Sequence, residues 1–198
     1  MRIHLYVDGP RDEATIPLIL ETLLGEAIDV VESCPWSRLN QPRGYQKKVV
    51  FALVKARDAG VDAVVAVCDA DKMPQRLAEL KAGRADHRSK NAPYPAALGQ
   101  ANPHGEAWLL DDRTAIIRAW GLPPDTEIPT IRHCDRNPKR VIESLFALTG
   151  RYDQNDGLAE IARLLDSNRC VHKKETGFAQ FLDEVRDELG PLRRSSPQ

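Results

Sequence analysis

Acidic side chains fall in three groups along this 198-residue chain: Asp8 with Asp12 and Glu13, Asp69 with Asp71, and Glu106 with Asp111 and Asp112. Carboxylates gathered in a partly buried cleft repel one another and must take up protons or be neutralised by a cation. An oxygen-rich donor set favours Mg²⁺ or Mn²⁺ over metals that prefer softer ligands. Such a cation can hold a phosphate oxygen, lower the pKa of bound water and stabilise the leaving oxygen of a phosphodiester. Asp69 and Asp71 are two apart, so in an extended chain both point to one side and can share a metal. Acidic residues also solvate strand ends and make turns, and Asp12 can cap a helix whose dipole Glu13 would complement. Those roles can coexist with a site.

The elements that must position these groups alternate between strand and helix. Ile3 to Val7 is a short apolar run that suits a buried first strand, with Gly9-Pro10 as the turn that ends it. A helix follows with Asp12 as its cap, Ile16, Leu20, Leu23 and Leu24 on one face and Gly25 as its stop; Pro17 fits only if it lies within the first turn. Ile28 to Val31 reads as a second strand, Ser33 to Gly44 as a loop and Tyr45 to Ala59 as a helix with Val49, Val50, Leu53 and Val54 inward. Asp62 to Cys68 is nearly continuously apolar, as a strand buried on both faces must be. This order implies a parallel α/β sheet, whose ligands bind outside the carboxyl ends of the strands. Asp8 and Asp69 both sit at such ends.

Beyond them, a short helix from Pro74 to Leu80 leads into a polar stretch, Lys81 to Pro95, that reads as a surface insertion. Ala96 to Ala101 is a weakly marked strand. Gly105 opens a helix that runs to Trp120 with a break at Asp111-Asp112, and within it Trp108, Leu109 and Leu110 read as core. The remainder reads as helical, over Lys139 to Leu148 behind Pro138, Leu158 to Leu165, and Phe178 to Leu189. The expected organisation is a single domain over residues 1–190, its helical part beginning at about residue 125, with a flexible tail over 191–198.

A hydrophobic fraction of 42%, a charged fraction of 29% and a formal net charge of -1 exclude a globally disordered or strongly basic chain. Any nucleic-acid binding must therefore come from local patches. Candidates are Arg11, the pair Arg84 and Arg88 with Lys90, the group Arg132, Arg136, Lys139 and Arg140, and Lys173 with Lys174. The amino terminus lacks the pattern of a signal peptide and no segment reaches transmembrane length, so a cytoplasmic location without membrane association is the expectation. Cys34, Cys68, Cys134 and Cys170 are widely spaced and read as reduced thiols; His133-Cys134 with Cys170 and His172 lacks a zinc-knuckle spacing. No dinucleotide fingerprint or Walker loop is present.

The run Val7-Asp8-Gly9-Pro10-Arg11-Asp12-Glu13, the strand ending Asp69-Ala70-Asp71, and Glu106-Ala-Trp-Leu-Leu-Asp-Asp112 resemble the Toprim-like family catalogued as domain of unknown function 4276. The resemblance extends to the Asn137-Pro138-Lys139 helix and the Thr176-Gly-Phe178 segment. It implies a Toprim-like Rossmannoid sheet flanked by helices. It also implies the chemistry of Toprim domains in primases, topoisomerases and OLD-type nucleases, where acidic residues bind Mg²⁺ and support nucleotidyl transfer or strand cleavage. Carried over by residue, Asp8 takes the place of the usual glutamate of the Glu-Gly turn, Asp12 its following acidic position, and Asp69 and Asp71 the metal-binding pair. Asp8 is one methylene shorter than that glutamate, which Glu13 is placed to offset. The expectation is an Mg²⁺- or Mn²⁺-dependent nuclease with Asp8, Asp69 and Asp71 as metal ligands and Asp8, Asp12, Glu13 and Glu106 as catalytic groups. By resemblance to OLD-type systems it would work with an ATPase partner in defence against mobile DNA such as phage. The alternatives are a weak or inactive binding subunit of the same fold, or a small-molecule phosphohydrolase.

Overall fold

A computed structural model describes residues 1–39, 42–71, 73–130, 137–150 and 153–193. Four strands, β1 (Arg2–Val7), β2 (Asp29–Pro35), β3 (Ala63–Asp69) and β4 (Ala96–Ala101), form a parallel sheet in the order β2-β1-β3-β4. Every β3 residue is buried, which explains its unbroken apolar sequence. The chain is α/β with a Rossmann-like sheet, as its strand and helix alternation requires. Because β2 lies on one side of β1 and β3 on the other, the winding reverses between β1 and β3. That reversal opens a crevice at their carboxyl ends.

Alternation along the strands builds two cores. Ile3, Leu5, Val7, Val65 and Ala97 face α1 (Pro10–Leu24) and the helices that follow the sheet: α4 (Glu106–Leu110), α5 (Arg113–Trp120), α6 (Pro138–Ala147), α7 (Gln154–Leu164) and α8 (Phe178–Glu184). Tyr6, Val64, Ala66, Cys68 and Leu98 face α2 (Tyr45–Asp58) and α3 (Arg76–Lys90). Trp108 anchors the first core: it is fully buried, lies 5.1 and 5.0 Å from the rings of Phe178 and Phe181, and donates its indole N–H to the Thr176 carbonyl at 2.7 Å. Among the described residues no helix is long and apolar enough to cross a membrane.

The structure departs from the sequence reading at several points. Lys81 to Lys90 is no insertion but the second half of α3. Its inward residues are Leu80, Gly83 and His87, too few apolar ones to mark a helical stripe. Gly83 is required there because a Cβ would stand 2.3 Å from the Gln46 carbonyl of α2, so the two helices cross in backbone contact. Strand β2 runs on to Pro35, where Ser33 to Pro35 reads as loop. In α1 the cap is Gly9, with Pro10 at the first helical position, so Asp12 is at the third and its carboxylate receives the Gly9 amide at 3.2 Å. Pro17 lies well inside this helix, leaving the Glu13 carbonyl without its usual donor; burial of Ile16, Ile19 and Leu20 on either side offsets that loss. The helix from Phe178 ends in a π-helical turn over Val185–Leu189.

Candidate metal centre at the switch point

The crevice between β1 and β3 is where the acidic groups meet. Asp8, one residue past β1, uses its Oδ2 to accept the backbone N–H of Asp69, tying the two strand ends together. Asp69 turns its carboxylate toward the β4–α4 loop, accepting the Gly105 amide on Oδ1 at 3.1 Å and meeting His104 Nδ1 at 3.0 Å and Lys139 Nζ at 3.4 Å on Oδ2. Asp71 stands 3.5 Å from the same imidazole nitrogen, with a backbone φ of 43° that an aspartate adopts only in a special turn. Arg76 secures that turn from the first residue of α3, donating to the Asp69 carbonyl at 2.7 Å and to Asp71 Oδ2 at 3.1 Å.

Behind this edge, Asp8, Gly9, Arg11, Asp12, Asp69, Glu106, Lys139 and Glu143 line a cleft of about 450 Å³. Glu106 is buried and paired with Arg11 at 2.8 Å, while the other arm of that guanidinium reaches Glu143 at 2.9 Å and Gln154 at 2.8 Å. Gly105 allows the α4 terminus to approach α1: a Cβ there would lie 2.6 Å from Asp12 Oδ1.

Burial sets the electrostatics. It raises Asp8, Asp12 and Asp69 above the ordinary carboxylate range, and each of the three is raised further by neighbouring acids. Asp12 is pushed up to about 7, by burial first and then by Asp69, Glu106 and Asp8. Lys139 and His104 oppose the rise at Asp69, and the Asp69 amide opposes it at Asp8. Lys139 is in turn held charged by Asp69 and Glu106 in spite of its own burial. The cleft thus carries more negative charge than its basic residues offset.

Comparison with protein-family models, with curated proteins and with solved structures finds no match. Among the described residues, one group of three presents ligand atoms within 4.8 Å of one another, namely Asp69, Asp71 and His104. Two carboxylates and an imidazole, beside further acids raised by repulsion, fit a divalent cation.

Not all the residues expected at the site reach it. Asp8 is beside the triad but outside it, with one oxygen spent on the Asp69 amide. Glu13 is not among the residues that line the cleft and instead accepts from Ser33 Oγ at 2.8 Å, so it does not offset the shortness of Asp8. Glu106 is in the cleft but parts company with Asp111 and Asp112. Asp111 receives the His172 amide at 2.8 Å, and Asp112 caps α5 and binds Arg169. Arg84 and Arg88 are not free for phosphate: they pair with Glu184 and Glu188 across α3 and the carboxyl-terminal helix. Lys173 donates to the Ser167 carbonyl at 3.1 Å. Lys174 is exposed and borders a second cleft, whereas Arg132, His133, Cys134, Arg136 and the tail over 194–198 lie outside the described residues.

His104 is the candidate ligand that the sequence does not announce, and Lys139 reads in sequence as one of a basic group with Arg132, Arg136 and Arg140 rather than as a neighbour of Asp69. The available signal was positional. His104 follows β4, so it sits at the same sheet edge as Asp8 and Asp69.

Proposed function

We propose that this chain is a Toprim-like phosphodiesterase that cleaves nucleic acid with Mg²⁺ or Mn²⁺. The observation that carries the reading is the meeting of Asp69, Asp71 and His104 with Lys139 beside the Asp8–Asp12–Glu106 cleft, at the point where the sheet reverses. Asp69, Asp71 and His104 would hold the cation. When bound, it supplies Lewis acidity toward a phosphate oxygen and lowers the pKa of a bound water.

The remaining groups act through their own geometry. Asp8 fixes the backbone of Asp69, and with it the direction of the metal-binding carboxylate. Asp12, which lines the cleft with its carboxyl raised by burial, is placed to take a proton from an attacking water. Lys139, with its ammonium at the cleft, is placed to meet a phosphate oxygen and to neutralise charge that develops on it. Glu106 orients Arg11 across the back wall. By resemblance to OLD-type systems the chain would act beside an ATPase partner in defence against mobile DNA.

Asp8 favours a second reading, a weakly active or inactive binding subunit of the same fold, because its short carboxylate is engaged with a main-chain amide and Glu13 is turned away. Incubation with single-stranded DNA, duplex DNA and RNA in Mg²⁺ and in Mn²⁺, beside Asp69→Ala and Asp71→Ala, separates the two. Metal-dependent cleavage lost in both variants supports the nuclease. Its absence, or cleavage indifferent to both substitutions, rejects it.

A further inference from the structure

The connection from β2 into α2 carries a charge asymmetry that the metal triad does not use. Between Glu32 and Asp58 the chain has no acidic residue, while Arg38, Arg43, Lys47, Lys48, Lys55 and Arg57 are all basic. The run is neutralised at one end only. At the carboxyl end of α2, Lys55 pairs with Glu32, and Arg57 reaches Asp58 at 3.6 Å and Asn91 at 2.9 Å. At the other end Arg38, Arg43 and Lys47 are exposed, and among the described residues no carboxylate pairs with them.

The unpaired end is the one that borders the triad. Strand β2 runs parallel to β1 with Pro35 opposite Val7, so the residues after Pro35 leave the sheet at the same edge as Asp8 and Asp69. A 3₁₀ turn over Trp36–Arg38 follows, and Lys48 fixes it by donating to the Trp36 carbonyl at 2.7 Å. Tyr45, the first residue of α2, has the Arg76 guanidinium 5.3 Å from its ring, and Arg76 in turn holds Asp71 at 3.1 Å. The first turn of α2 contains no acid, and Glu79 of α3 is engaged with the Tyr45 amide at 3.2 Å. Arg43 and Lys47 therefore add to the positive end of the helix dipole.

A single exposed lysine or arginine is an ordinary solvated group. Here three gather at the sheet edge where a phosphate must lie, while their neighbours farther along the same helix are paired. Lys139 comes from the helices on one face of the sheet and this run from α2 on the other, so basic charge flanks the triad from both faces. We infer that the surface of Arg38, Arg43 and Lys47 at the start of α2 binds the phosphate backbone of a nucleic acid whose scissile phosphate lies at the triad. That the polyanion is a nucleic acid rests on the nuclease reading. Contacts to phosphates carry no base information, so binding here is blind to sequence and sensitive to salt.

Fluorescence anisotropy of labelled single-stranded DNA, duplex DNA and RNA with the intact protein, in Ca²⁺ and across about 50–200 mM salt, tests the surface. The double variant Arg43→Ala with Lys47→Ala should bind more weakly at every sequence tried. Its slope of log affinity against log salt should be shallower by about 0.7 per residue for a single strand and about 0.9 for a duplex. Arg163→Ala, an exposed change at the end of α7 opposite the cleft residue Asn155, should match the wild type. A slope unchanged in the double variant, an equal loss in Arg163→Ala, or no binding to any of the three nucleic acids would overturn the surface. Polyglutamate bound as tightly as DNA of equal charge would overturn its assignment to nucleic acid in favour of an acidic protein. The substituted side chains are exposed, so their removal leaves the core intact. Binding that is lost in the double variant, in a protein that never cleaves, would keep the surface and remove the nuclease. Cleavage by a protein whose salt slope ignores both substitutions would do the reverse.

Discussion

Asp69 and Asp112 are both buried aspartates in acidic pairs, yet their surroundings give them opposite uses. Asp112 is saturated: its carboxylate caps α5 at the Ala115 amide, takes the Asp166 amide at 2.9 Å and receives Arg169 through two nitrogens at 2.8–3.0 Å. Its charge is matched by donors held in a fixed fork. Asp69 has an amide, an imidazole and a lysine, but it shares its burial with Asp8, Asp12 and Glu106 and stays raised. A buried carboxylate whose donors match its charge holds the fold together; several carboxylates facing one cleft with too little opposing charge form a place for a cation. Sequence distinguishes these two cases poorly, since each reads as Asp-Asp or Asp-x-Asp beside an apolar run.

The largest expected contrast is in catalysis. Asp69→Ala should lower metal-dependent cleavage by about a thousandfold or more, equivalent to several kcal/mol of transition-state stabilisation, with the fold retained. Asp112→Ala should do the reverse, costing about 3 kcal/mol of stability through the lost cap and the stranded Arg169 while the folded fraction keeps its activity. Single-turnover assays beside urea unfolding would read both; equal effects of the two substitutions on activity per folded molecule would end the distinction.

Asp12 gives a smaller effect with a defined sign. Its carboxyl is raised from 3.8 to about 7 in the folded protein, so between those values the folded state holds a proton that the unfolded chain has released. Stability of the metal-free protein should fall as pH rises from about 4 to about 7 and level off above it. Asp12→Asn should flatten that decline and stabilise the protein at pH 8 by about 1–3 kcal/mol. Thermal melts across that range in a chelator would show it, and a stability that climbs with pH over the same window would contradict it. The smallest expected change is at His104, where removal of the one nitrogen donor by His104→Ala should weaken Mn²⁺ by about tenfold and Mg²⁺ less. Equal losses for the two ions would remove the imidazole from the cation's shell.

Much of the frame was legible because burial writes itself into sequence. The uninterrupted apolar run before Asp69 and the shorter one before Asp8 marked β3 and β1, and the carboxyl-end rule then placed both aspartates at one edge. Helix α3 was legible only to Leu80, because it packs on α2 through a glycine and a histidine, which leave no apolar periodicity. Arg84 and Arg88 looked like free basic charge because their partners, Glu184 and Glu188, are 100 residues away. His104 was hidden for a related reason. A single histidine after a weak strand has no neighbour in sequence that declares its role, and only the register of β4 beside β3 brings it to Asp69 and Asp71.

The proposed cleavage depends on a divalent cation binding at the switch point through Asp69. Calorimetric titration of the metal-free protein with Mn²⁺ at pH 7.5, beside Asp69→Asn and Asp112→Asn, tests that dependence without a substrate. The expected result is saturable binding in the wild type, retained by folded Asp112→Asn and lost in Asp69→Asn. Mn²⁺ binding unchanged by Asp69→Asn, or no binding to the wild type, would contradict it.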